Sequence, residues 1–179
     1  MENKLRPLFF KQSLRRWHFE ALMKESGLSR NWTNAQLKEL LKSGFVKKVK
    51  PKGKMPHYEA VMDDKFKAEK RLYGLKLLEE AGLFSHINSL KGIKTAILFG
   101  SFARGNWSFQ SDIDLFIFGD DSDFEKGKLE SKLGKEIQIF SFNDPKEVSR
   151  RLDPNLIPNI AKGFNIKGNL EPFKVNINA

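Results

Sequence analysis

The chain has 179 residues, with 32 Lys and Arg against 22 Asp and Glu and no cysteine. That length suits one ordinary domain or two small ones, and the missing cysteine excludes disulfides, a thiolate nucleophile and a cysteine zinc site. No stretch reaches the roughly 20 apolar residues of a membrane span and the first residues lead into no apolar secretory segment, so a soluble protein of a reducing cytoplasm, without a membrane partner, is expected.

The net charge of +10 is concentrated at one end: residues 1–60 hold 14 Lys and Arg against 5 Glu, and residues 61–179 hold 18 against 17. A basic segment joined to a nearly neutral one predicts two modules, the first facing a polyanion.

In chain order, residues 14–25 show helical spacing through Leu14, Trp17 and Leu22, and Gly27-Leu28-Ser29 makes a turn with Ser29 as cap of the next helix. That helix, over 30–42, carries Trp32, Leu37, Leu40 and Leu41 on an inner side, which places Trp17 and Trp32 in the core, and Gly44 stops it. Two strand-like runs follow, 45–50 and 55–61, joined by Pro51-Lys52-Gly53-Lys54. Helix, turn, helix and basic hairpin in this order resemble a winged helix-turn-helix, whose second helix enters the major groove of duplex DNA. By that resemblance Arg30, Asn31, Thr33, Asn34 and Lys38 face outward on the recognition helix, and Lys47, Lys48, Lys50, Lys52 and Lys54 line the wing. The cations would neutralise phosphates, while Asn and Thr reach base edges. Winged helices also bind proteins, and lysine runs are commonly plain solvated faces.

Residues 64–80 read as a connecting helix with Phe66, Leu72, Leu75 and Leu78 on one side, and no flexible linker composition interrupts it. The apolar run 95–99 reads as a buried strand, ended by Gly100-Ser101 in a turn into a short helix at Phe102-Ala103. Free N–H groups at such a turn favour an anion. Then comes Ser111-Asp112-Ile113-Asp114-Leu115-Phe116-Ile117-Phe118. Strand alternation sets Asp112 and Asp114 on one face, and the apolar run after them marks a central strand covered on both sides. Residues 121–133, 144–152 and 155–162 read as helices, with strands at 136–142 and 164–167. The histidines His18, His57 and His86 show no zinc or triad spacing.

Gly-Ser, ten intervening residues, then Asp-Ile-Asp resembles the DNA polymerase β-like nucleotidyltransferase superfamily, and Gly-Ser-Phe-Ala-Arg-Gly with Ser-Asp-Ile-Asp-Leu resembles its minimal nucleotidyltransferase branch. The resemblance covers about residues 92–145. It implies that Gly100 and Ser101 hold a nucleoside triphosphate, ATP first among them, and that Asp112 and Asp114 bind Mg2+ or Mn2+; Arg104 and Ser111 are further nucleotide-binding candidates, Arg104 reading equally as a surface residue. A third carboxylate is implied on the strand Glu136-Ile137-Gln138-Ile139-Phe140, where the triplet aligns glutamine with the acid. Gln138 offers a neutral carbonyl to a metal but takes no proton; Glu136, two residues earlier on the same strand face, reads either as the substitute catalytic acid or as a solvated strand-start residue beside Lys135.

The expected architecture is therefore α+β: a winged-helix domain over 1–62, connecting helices over 63–91, and over 92–179 a nucleotidyltransferase domain with a small mixed sheet flanked by helices. The expected activity is Mg-dependent transfer of a nucleoside monophosphate to an acceptor hydroxyl. A protein acceptor and a homodimer remain open. The alternative is a DNA-binding regulator whose transferase domain binds nucleotide without transferring it.

Overall fold

The computed structural model describes residues 3–170; Met1, Glu2 and residues 171–179, which end the expected C-terminal domain, lie outside the described residues. The chain divides into two compact units, Met1–Tyr73 and Gly74–Ala179.

The first unit opens with α1 (Arg6–Lys11), begun by Pro7. Six residues are too few to stand alone or to show a period. What holds them is burial of Phe9 and Phe10, each contributing about 1.5–3 kcal/mol. Next come α2 (Phe19–Ser26), ended by Gly27 at φ 67°, and α3 (Arg30–Lys42), where the Ser29 hydroxyl accepts the Trp32 N–H. Strands β1 (Val46–Val49) and β2 (His57–Ala60) pair antiparallel. Trp17 lies before α2 instead of within the predicted helix: its backbone pairs with Tyr58 (N–H···O 2.9 and 2.7 Å), adding an extended bridge beside β2. The core packs Leu5, Phe9, Trp17, Leu22, Leu37 and Leu40.

Three expectations need correction here. Leu14 belongs to no helix and is 85% exposed, because the chain leaves α1 in turns before reaching Trp17. Trp32 is 53% exposed; two positions after the α3 start it sits outside the inward row Thr33, Gln36, Leu37 and Leu40. Thr33 instead is fully buried, its hydroxyl donating to Ser29 O at 2.9 Å, and presents nothing outward.

Helix α4 (Asp64–Glu80) crosses the division between the units. It buries Phe66 and Leu78, but Leu72 is 67% exposed, and Lys70 takes an inward place, donating to the Ser13 hydroxyl at 2.5 Å.

The second unit continues with α5 (Leu83–Ser89), β3 (Ile93–Phe99), α6 (Gly100–Arg104), β4 (Ile113–Gly119), α7 (Lys126–Leu133), β5 (Ile137–Phe142), α8 (Pro145–Arg151), a 3-10 turn (Pro154–Leu156), α9 (Ile157–Ala161) and β6 (Phe164–Lys167). Pro158, which lacks an N–H, starts α9 afresh, so the helix predicted over 155–162 divides in two. The sheet order is β5-β4-β3-β6: β4 is parallel to β5 and antiparallel to β3, which is antiparallel to β6. This is the small mixed sheet flanked by helices that the sequence predicts. On one face Ile97, Phe99, Phe116 and Phe142 pack with Val148, Leu152 and Ile160 of the segment 145–161. By alternation Asp112 and Asp114 continue that phenylalanine row beyond its end.

Candidate functional site

The antiparallel register sets Asp114 directly across from Phe99, so the Gly100-Ser101 turn and the second acid meet at the same end of the sheet. Gly100 has φ 70°, and a Cβ built there would overlap Asp114 Oδ2 and lie 2.8 Å from its Cγ. Only glycine permits both this left-handed backbone and this approach. Parallel pairing places Gln138 beside Asp114, and Gln138 Nε2 donates to Asp112 Oδ2 at 3.0 Å. Both acids are half-buried. Burial first, and then the neighbouring Asp112 charge, push the Asp114 carboxyl above its ordinary value, partly offset by Arg104. Arg104 is itself held toward α9 by its hydrogen bond to Asn159 Oδ1 at 3.3 Å.

The connection from α6 to β4 is tied at both ends. Trp107 is buried and stacks on Phe102 at 5.0 Å between ring centroids. Ser111 closes the turn Ser108–Ser111, its hydroxyl accepting the Ser108 N–H at 2.8 Å and its own N–H donating to Ser108 O at 3.1 Å; this hydroxyl shapes the loop. Lys135 Nζ enters the same turn. Burial lowers its pKa, and Asp112 partly offsets that. Trp107 and Lys135 escape sequence reasoning: a lone Trp in a polar loop and a Lys between Gly and Glu carry no period, and their contacts are set by the fold.

Glu136 is exposed. Its backbone oxygen accepts the Ile113 N–H at 2.9 Å, and the residue lines a surface concavity with Lys126, Glu130, Gly134 and Lys135. The structure thus brings together Gly100, Asp112, Asp114 and Gln138, and it does not add Glu136: among the described residues no three His, Cys, Asp or Glu side chains group as a metal site. The donor set that does converge, two carboxylates and an amide, is hard and oxygen-rich, and burial together with the Asp112 charge, only partly offset by Arg104, raises Asp114. It fits Mg2+ or Mn2+ in chemistry.

In the first unit Asn31, Asn34, Lys38, Lys48, Lys50, Lys52 and Lys54 are all exposed. Arg30 is paired with Glu20 at 2.7 Å and Lys47 with Glu59 at 3.2 Å, so the charge each offers a new anion is partly neutralised. Lys48 Nζ lies 6.0 Å from the Tyr58 ring centroid. No helix among the described residues is long and apolar enough to cross a membrane.

Residues 83–162 match the family described as polymerase beta, nucleotidyltransferase. A Methanocaldococcus jannaschii protein, MJ0604, named as a candidate protein adenylyltransferase, is 47% identical over 47 residues, which cover 24% of this chain and 47% of the relative. The chain thus spans about half the length of that curated relative. Among solved structures, a mutant toxin-antitoxin MntA-HpeT is 18% identical with a TM-score of 0.35, over 56% of this chain and 74% of that one. A toxin-antitoxin with AMP-PNP is 19% identical with a TM-score of 0.33, over 57% and 74%. A candidate nucleotidyltransferase from Sulfolobus solfataricus is 20% identical with a TM-score of 0.31, over 52% and 87%. Superpositions this loose carry no argument. The family match carries it: Gly100, Ser101, Asp112, Asp114, Glu136 and Gln138 all lie inside the segment of this chain that is similar to the polymerase beta nucleotidyltransferases.

Proposed function

We propose that the chain is a nucleotidyltransferase that moves a nucleoside monophosphate, AMP first among them, from a triphosphate to an acceptor hydroxyl. The observation that carries this is the close approach of Gly100 to Asp114, within a segment matching that family. The backbone N–H groups at Gly100-Ser101 would donate to the triphosphate, and Arg104, near Asp114, would meet its charge. Asp112 and Asp114 would hold a divalent cation, with the Gln138 amide fixing the Asp112 carboxylate. When bound, the cation supplies charge stabilisation for the phosphoryl group and its leaving pyrophosphate. The acceptor oxygen then bonds to the α-phosphorus as the bond to pyrophosphate breaks. Gln138 cannot take the hydroxyl proton; Glu136, on the same strand face by alternation although outside the group that the structure brings together, is the proposed acceptor of it.

The name of the archaeal relative makes a protein the first acceptor to try. The exposed lysines of the hairpin and of α3 support duplex DNA as a second partner, through a winged-helix unit in which Thr33 has no outward role. The test is transfer of α-labelled ATP to macromolecules of a cell extract with Mg2+ or Mn2+. Label absent with the native chain, or unchanged in Asp112→Asn with Asp114→Asn, would overturn the proposal. A second reading, a nucleotide-sensing DNA-binding regulator, is favoured by one observation: glutamine stands beside the acid pair where the family pattern has an acid.

A further inference from the structure

Among the described residues of the second unit, Lys135 is a cation whose bonds are concentrated on one turn beside the acid pair. Its ammonium donates to three backbone carbonyls of one turn, Ser108 O at 3.2 Å, Phe109 O at 2.6 Å and Ser111 O at 3.1 Å. An ammonium has three donors, and this turn uses all of them. The same Nζ lies 5.6 Å from the ring centroids of both Phe102 and Phe109, so carbonyl dipoles and aromatic rings flank its charge. The turn ends at Ser111, and Asp112 follows directly. Three residues after Lys135, Gln138 holds the Asp112 carboxylate. One stretch of chain, 135–138, therefore fixes the first acid twice: its backbone through the turn and its carboxylate through the amide.

We infer that Lys135 is a positioning residue for nucleotidyl transfer, a plug that locks the Ser108–Ser111 turn and so sets where Asp112 meets the metal-bound nucleotide. The inference rests on the nucleotidyl-transfer reading. A lysine at this place could instead be read as a phosphate ligand, but its donors already point at carbonyls of its own chain. Loss of such an outer support lowers metal affinity by about 10- to 100-fold in well-studied sites.

The test compares the full-length native chain with Lys135→Met, which keeps the aliphatic stem and removes the donors, and with Ser111→Ala, which removes the two hydrogen bonds of the Ser111 hydroxyl to Ser108 and no charge. Two readouts are taken: amide hydrogen exchange over 106–112, and affinity for manganese with ATP, followed by the electron paramagnetic resonance of the ion. Lys135→Met is expected to speed exchange of those amides and to weaken manganese–ATP binding about tenfold, and Ser111→Ala to do less of both. Unchanged exchange overturns the plug. Faster exchange with unchanged manganese–ATP affinity also overturns it, because a purely structural lysine would behave that way. A native chain that binds no manganese–ATP refutes the transfer reading itself, and the positioning role falls with it; native binding with an unmoved Lys135→Met overturns Lys135 alone.

Discussion

Replacing Gly100 by alanine separates the two reasons for a glycine at the phosphate turn. The backbone there has φ 70° and a Cβ would meet the Asp114 carboxylate, whereas Gly82, at φ 87° in the same unit, has nothing within 4 Å of its missing Cβ. A left-handed conformation costs an L-residue about 1–2 kcal/mol, so Gly82→Ala should lose only that. Gly100→Ala should lose the same and also about 1–3 kcal/mol for forcing atoms into occupied space. In a unit of this size each kcal/mol moves Tm by about 4–8 °C, so the two variants separate clearly in a calorimetric melt. Repeating the pair in an Asp114→Ala background completes a double-mutant cycle: with Oδ2 and Cγ gone, the excess at Gly100 should largely vanish. Equal losses at Gly82 and Gly100, or an excess that survives in the Asp114→Ala background, would refute the contact on which the site is built.

Asp114 should also make the metal-free protein less stable as pH rises. Its folded carboxyl holds a proton to higher pH than the ordinary 3.8, so the folded state binds more protons and stability falls as pH passes from the unfolded to the folded value. Asp114→Asn should raise Tm at neutral pH in chelator, with the gain shrinking toward pH 4 and enlarged by Arg104→Gln; a gain independent of pH counts against this. Duplex DNA binding by the full chain should weaken steeply with salt. If Lys48, Lys52 and Lys54 each neutralise a phosphate, their joint replacement by Gln lowers the log–log slope by about 0.9 per residue. Lys47→Gln should lower it less, because Glu59 already pairs with Lys47, and an unchanged triple-variant slope would remove the hairpin from the interface.

Much of the site is legible in the sequence because its logic is periodic. Asp112 and Asp114 share a face whenever 112–118 is a strand, and the apolar residues of that strand require it to be central. The spacing from Gly100 is what a short helix and a loop need to return Asp114 opposite Phe99. What stayed hidden depends on contacts remote in sequence. Trp17 reads as helical until its backbone is seen to pair with Tyr58, 41 positions on. Trp32 and Thr33 exchange their expected places because one residue's turn around α3 is about 100°, enough to swap inside for outside near a helix start. Lys135 is anonymous until the Ser108–Ser111 turn folds over it.

The choice between enzyme and regulator turns on Gln138, and Gln138→Asp tests it without first knowing the acceptor. The residue sits beside Asp114 and bonds Asp112, so the substitution removes a donor and adds a third negative charge to a pair that Arg104 offsets only in part. Near a protein surface, like charges about 4 Å apart repel by roughly 1–4 kcal/mol, and Gln138 is exposed, which favours the low end. Metal-free Gln138→Asp should therefore melt below the native chain, while manganese should stabilise the variant by more than it stabilises the native protein, since added ligand charge tightens binding to the folded state. A variant that melts with the native chain and responds equally to manganese would mean that position 138 is not part of the acid site. Transfer assays then divide the two readings. If Glu136 takes the acceptor proton, Glu136→Gln should lower transfer by about 10²- to 10⁴-fold and Gln138→Asp should change it little. If the native chain binds manganese–ATP and transfers nothing, while Gln138→Asp labels an acceptor, then glutamine has silenced the chemistry and kept the nucleotide, and the basic unit becomes the output of a sensor instead of the anchor of an enzyme.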